Sequence, residues 1–109
     1  MGFIFYIMEF KNKKIDLFGT TYKIKYVDEI ENDEGNHLFG LTDNSTREIF
    51  IATTINNTSI PDTEIQITLL HELIHAALMT GQYLEENTNE PMVEWIARCI
   101  YQLLKKNII

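Results

Sequence analysis

Between Thr68 and Leu78 the chain carries one carboxylate, Glu72, and no lysine or arginine, and this stretch most restricts what the chain can become. Leu70, Leu73, Ile74, Ala77 and Leu78 recur at the i, i+3, i+4, i+7, i+8 spacing of a packed helix. His71, Glu72 and His75 are set into that apolar run, where polar groups are costly to bury without partners. Helix positions four apart lie one above the other, so His71 and His75 present two imidazole nitrogens to one point. Glu72, about 100° round the helix, reaches the same region from the side.

The letters from His71 to His75 read H-E-x-x-H. On a helix this spacing supplies two zinc ligands, with the glutamate as general base for a zinc-activated water. Three fixed residues at given spacing arise by chance in roughly a few per thousand chains of this size. The uncharged helical context is what raises the match above that background.

The bulk properties narrow the setting. A chain of 109 residues is expected to be one domain, large enough to bury roughly two-thirds of its unfolded surface without disulfides. The net charge of −7 argues against nucleic acid or an anionic membrane as the main partner, and a neutral or positively charged protein or peptide substrate fits better. The single cysteine, Cys99, cannot form an internal disulfide, which suits a reducing compartment. It is expected to be a small buried hydrophobe. The apolar start from Met1 to Met8 lacks a basic segment and a cleavage site and is far short of a membrane span. It reads as a first strand, or as an extension if translation begins at Met8. A cytoplasmic protein is the expectation.

The first half reads as strand and the second as helix, an α+β chain with an N-terminal antiparallel sheet of three to five strands. Residues 14–18 and 21–27 alternate and are rich in β-branched and aromatic side chains, with Gly19-Thr20 as a hairpin turn. The acidic segment Asp28 to Asn36 is expected to be a solvated loop. Residues 38–42 and 47–52 follow as strands around the turn Asp43-Asn44-Ser45. Ser59-Ile60-Pro61-Asp62 has the spacing of a capping box for the first helix, and Gly81 marks its end. A second helix begins between Asn87 and Pro91. It presents Val93, Ile96, Ala97, Ile100, Leu103 and Leu104 on one face and stops near Lys105-Lys106. Ile108-Ile109 either packs or frays.

A catalytic zinc normally has three protein ligands and one open position. His37, in the acidic loop, is a poor candidate because a lone loop histidine is more often solvated. Glu90 and Glu94 share a helix face, and packing the second helix on the first brings its first turn to the histidines. One carboxylate can bind the metal while the other accepts a hydrogen bond from the distal nitrogen of a ligand histidine. Glu90 is assigned as ligand and Glu94 as the supporting acceptor, with the reverse open. The competing reading makes Asn87 and Glu90 a capping box and leaves Glu94 in solvent. Trp95 lies off the core stripe. Tyr83, in the inter-helix loop, is a candidate oxyanion donor, with packing as its alternative role.

The segment from Thr68 to Ala77 resembles the extended zincin pattern, with a threonine three residues before the first histidine. Asn89-Glu90 followed by Glu94 resembles the second motif of gluzincins, in which the first carboxylate is the ligand. The strand-like stretch 48–51 ahead of the helix resembles small ImmA/IrrE-type metallopeptidases, compact members of which are common in phages and mobile elements. The interval from His75 to Glu90 is shorter than in larger gluzincins, which shortens the expected cleft, and no N-terminal helix is evident. The resemblance implies a zincin-like domain over residues 1–109 that cleaves an intracellular regulator.

The expected chemistry has Zn²⁺ held by His71, His75 and Glu90, with Glu72 taking the proton of the attacking water and returning it to the leaving amine. The strand 48–52, if it is a sheet edge, would pair with an extended substrate. Two alternatives compete. One is a zinc-stabilised binding module without turnover, which has no use for Glu72. The other is an SprT-like protease acting on DNA-bound proteins, disfavoured by the acidic balance and by the lack of a third histidine after the helix.

Overall fold

The computed structural model describes residues 10–107. The stretch Met1 to Met8 and the pair Ile108-Ile109, both given readings above, lie outside the described residues. A four-stranded sheet forms first, in the order Lys13–Leu17, Thr20–Val27, Glu48–Ala52, Gly40–Asp43. β1 (Lys13–Leu17) and β2 (Thr20–Val27) make an antiparallel hairpin. Its two-residue turn is Phe18-Gly19, both at positive φ (52° and 88°), the backbone a tight hairpin requires.

The sheet is not purely antiparallel. β6 (Glu48–Ala52) lies parallel to β2 and antiparallel to β5 (Gly40–Asp43). The pattern of alternation cannot distinguish parallel from antiparallel neighbours, because both have period two. The consequence matters for function: the strand 48–52 is central, with Ile49 and Ile51 buried, and the sheet edges are β1 and β5.

The acidic segment is more ordered than expected. It contains β3 (Ile30–Glu31), which pairs with β4 (His37–Leu38). Ile30 is buried, and Asn32 Oδ1 accepts from the backbone N–H groups of Glu34 and Asn36 to close the turn. A third small hairpin, β7 (Thr54–Ile55) with β8 (Thr58–Ser59), leads into the helices. Its Asn56-Asn57 turn has φ of 51° and 61°, and asparagine tolerates that region better than most residues.

α1 spans Asp62–Thr80 and ends at Gly81. Its N-cap is Pro61, with no side-chain cap bond, so the capping box at Ser59 does not form; Ser59 is held in β8 instead. The single apolar stripe is also corrected. α1 is wedged between two layers and buries two faces. Ile65, Leu69, Ala76 and Leu73 pack on the sheet with Tyr22, Ile24, Ile49 and Ile51. Ile67, Leu70 and Ile74 pack on Ala97 and Tyr101 of the second helix.

α2 (Glu90–Lys105) follows a short 3₁₀ turn, Glu86–Thr88. Its N-cap is Asn89, whose side chain accepts from the Met92 N–H, and Lys105 sits at the end the dipole favours. Val93, Ala97 and Tyr101 are its buried residues. Ile96 and Leu103 are exposed, as is Cys99. Tyr101 thus replaces them in the packed face, and the cysteine is not a core residue. Trp95 is 70% exposed. No helix among the described residues is long and apolar enough to cross a membrane.

Candidate metal centre

α1 and α2 run antiparallel, and that packing assembles the site. Going up α1, His71 meets Glu94, while His75 meets Glu90 and, in the turn before α2, Asn87. The residues assigned from spacing therefore converge from two helices. His71, His75 and Glu90 each offer one ligand atom within 4.8 Å of the others. His37 does not belong to that group; it stands in β4, with Nδ1 3.4 Å from Glu29 Oε1.

The orientation of the two imidazoles carries most of the chemical information. His71 Nδ1 is 2.8 Å from Glu94 Oε1, and His75 Nδ1 is 2.8 Å from Asn87 Oδ1. Both partners are acceptor oxygens, so each Nδ1 carries the hydrogen and donates it. In the neutral rings each Nε2 then keeps a lone pair, and both Nε2 atoms face the same point. The two Nε2 atoms are 3.2 Å apart, and His75 Nε2 is 2.8 and 3.0 Å from the two oxygens of Glu90. His71 Nε2 lies 3.3 Å from Glu90 Oε1.

Lone pairs gathered this closely repel one another unless a cation or an added proton lies among them. Two nitrogens about 2.0–2.1 Å from one tetrahedral zinc would stand about 3.3 Å apart, close to the spacing found. The donor set of two imidazoles and one carboxylate is of the kind zinc takes, and carboxylate or amide tethers on the distal nitrogens are what orient such ligands. In the absence of metal, burial lowers the pKa of His75, but hydrogen bonds to Asn87 and Glu90 outweigh that and hold it above the ordinary histidine value.

No protein-family model matches the chain, and no curated protein or solved structure was found similar to it. The chemistry must accordingly be read from the side chains themselves.

Glu72 faces the sheet and is only 7% exposed. Burial pushes its carboxyl above the usual range, although Thr42 partly offsets this by donating from Oγ1 to Oε1 at 2.7 Å. The other oxygen, Oε2, lies against Gly40, where a Cβ would sit 3.1 Å from it. β5 therefore passes close to α1 through a residue with no side chain. Two clefts, of about 380 and 290 Å³, adjoin this close approach. His71 lines the first, His75 lines the second, and Gly40, Glu72 and Glu90 line both.

Two sequence assignments change. Tyr83 is 59% exposed in the turn after α1, lines neither cleft, and sits over Gly81, where an added Cβ would be 3.0 Å from its ring. The structure does not bring it to the histidines, so the oxyanion role is withdrawn. Asn87 does not cap α2; it tethers His75. Neither this role nor that of Thr42 had a signal in spacing, since both act through tertiary contacts.

Proposed function

We propose that the chain is a zinc-dependent peptidase of minimal zincin type, like the ImmA/IrrE-type enzymes its motifs resemble. One observation carries the reading: both histidines are tethered at Nδ1, so that Nε2 lone pairs and the Glu90 carboxylate converge beside a buried second carboxylate, Glu72. His71, His75 and Glu90 would hold the ion. Zinc bound there would supply Lewis acidity towards a peptide carbonyl and towards water.

The remaining work falls to the chain's own groups. Glu72, which lines both clefts, would accept a proton from the attacking water through Oε2 and deliver it to the departing amine. Thr42 holds Oε1 and so fixes the direction in which Oε2 points. An extended peptide adds to β5, the sheet edge on the α1 side of Gly40, while β6 keeps its pairing on the other side of β5. Action in the cytoplasm on a phage or mobile-element regulator belongs to this proposal through the resemblance.

Zinc content of the wild type and of Glu90→Gln, Glu94→Gln and Glu72→Gln, with hydrolysis of an unfolded protein substrate, tests it. Glu90→Gln is expected to lose most of the metal, and Glu94→Gln to bind it more weakly. Glu72→Gln is expected to retain metal and fold but not turnover. Full zinc occupancy in Glu90→Gln would sink the ligand assignment. Zinc binding with no hydrolysis of any peptide would favour the silent binding module.

A further inference from the structure

The groups around the histidines include one cation that the proposed chemistry does not use. Arg98 lies one turn beyond Glu94 on α2. Its Nε donates to Glu94 Oε2 at 2.6 Å and its Nη2 to Glu64 Oε1 at 3.1 Å. The other Glu94 oxygen, Oε1, is the one that receives the His71 Nδ1 hydrogen. Glu64 and His71 are seven apart on α1, so they share a face two turns apart. The four residues thus make a cross-helix chain of hydrogen bonds: Glu64, Arg98, Glu94, His71.

We propose that Arg98 is a positioning residue for the metal centre, acting on His71 through Glu94. The proposal rests on the reading of His71 as a metal ligand. A glutamate side chain has several rotatable bonds, and that of Glu94 is 40% exposed. Held by His71 alone, it can swing into water, releasing the imidazole to turn or change tautomer. Arg98 occupies the second oxygen and is itself anchored to the far helix by Glu64, so both Glu94 oxygens have fixed directions. The planar guanidinium suits this because its N–H groups diverge at fixed angles and can serve two carboxylates at once. Lysine presents a point charge and cannot reproduce the fork.

Stability is a poor guide to this role. Arg98 is 47% exposed, and exposed ion pairs contribute about 0–1 kcal/mol. The decisive measurement is zinc affinity in a double-mutant cycle of Arg98→Gln and Glu94→Gln. Loss of a residue that supports a ligand typically lowers affinity about 10–100-fold. Glu94→Gln should fall in that range, and Arg98→Gln, one step further out, should weaken binding about five- to tenfold. Arg98→Gln added to Glu94→Gln should change affinity by less than about twofold. Arg98→Lys should recover only part of the loss.

A readout independent of zinc accompanies it. The ¹⁵N shifts of the His71 ring in the metal-free protein report its tautomer. Arg98→Gln should shift that ring away from the Nδ1–H form, while Glu64→Gln, which leaves the Arg98–Glu94 bond intact, should have a smaller effect. Wild-type-like zinc affinity and ring shifts in Arg98→Gln would overturn the inference. Equal losses from Arg98→Gln with and without Glu94 would also overturn it, because the effect would not pass through Glu94. If the wild type binds no zinc, the peptidase reading fails and the role of Arg98 towards a metal fails with it, whereas zinc binding that does not respond to Arg98→Gln overturns the inference alone.

Discussion

Thr42 and Glu72 are joined across the sheet–helix interface by a hydrogen bond of 2.7 Å between Oγ1 and Oε1. It is the contact that ties the sheet edge to the carboxylate proposed as base. Thr42→Val keeps the shape and removes the donor, leaving a buried carboxylate oxygen without its partner, at a cost of about 1–3 kcal/mol. The expected outcome is a lower Tm and reduced turnover with unchanged zinc stoichiometry, and near-normal behaviour in Thr42→Ser. Thermal unfolding of both variants checks it; a Thr42→Val protein as stable and active as wild type would show that the bond is incidental.

At Gly40, β5 leaves no room for a side chain against α1. A Cβ there would stand 2.7 Å from Thr68 Cγ2 and 2.9 Å from Glu72 Cγ, both too short for carbon atoms. Gly40→Ala must therefore push the strand or the Glu72 side chain aside, at a cost typical of overpacking, about 1–3 kcal/mol. Adding Thr68→Ser removes the nearer methyl and should recover part of the loss. Denaturant unfolding of the single and double variants decides, and a silent Gly40→Ala would remove the steric argument.

Asn87 tethers His75 as Glu94 tethers His71. Asn87→Leu should weaken zinc binding about 10–100-fold, while Asn87→Asp, which keeps an acceptor oxygen, should retain most of it. Isothermal titration with zinc separates the two variants. Equal affinities would mean that the His75 ring is oriented by packing alone.

Asp43 provides an acid-side prediction that does not involve the histidines. Its Oδ1 accepts from the Ser45 hydroxyl at 2.7 Å and from the backbone N–H groups of Ser45 and Thr46. These bonds, that of the Ser45 hydroxyl first, hold the carboxyl below the ordinary aspartate range. A pKa lower in the folded state means stability that is present above about pH 4 and lost as pH falls through the depressed folded value. Asp43→Asn should thus be less stable at neutral pH and show a shallower loss of Tm on acidification. Melting curves from neutral pH down to about pH 2.5 test it, and parallel curves for the two proteins would refute it.

Local chemistry made several elements legible in the chain. The β1–β2 hairpin follows from alternation on both sides of a glycine turn, and the end of α1 from Gly81. The shared face of His71 and His75 follows from helix pitch alone. Glu90 and Glu94 were accessible because a short connection between two amphipathic helices restricts how they can pack. The Asn56-Asn57 hairpin had a local signal that went unread, namely two asparagines between β-branched residues. Cys99, Ile96 and Leu103 are exposed where burial was expected, and Tyr101 is buried in their stead, for a physical reason as well. Several apolar residues on α2 compete for one packed face, and only the position of α1 decides which of them it covers.

What the amino-acid sequence determined by itself is therefore the periodic part: two helices after a sheet, and a pair of imidazoles four residues apart beside a carboxylate. The tertiary structure decided which strands are the edges, that Thr42 and Gly40 meet Glu72, and that Asn87 and the Arg98–Glu94 pair aim the two rings. Periodicity is a property of neighbours along the chain. Strand order, parallel pairing and hydrogen bonds between residues far apart depend on how separate elements pack, and no spacing along a single chain encodes that.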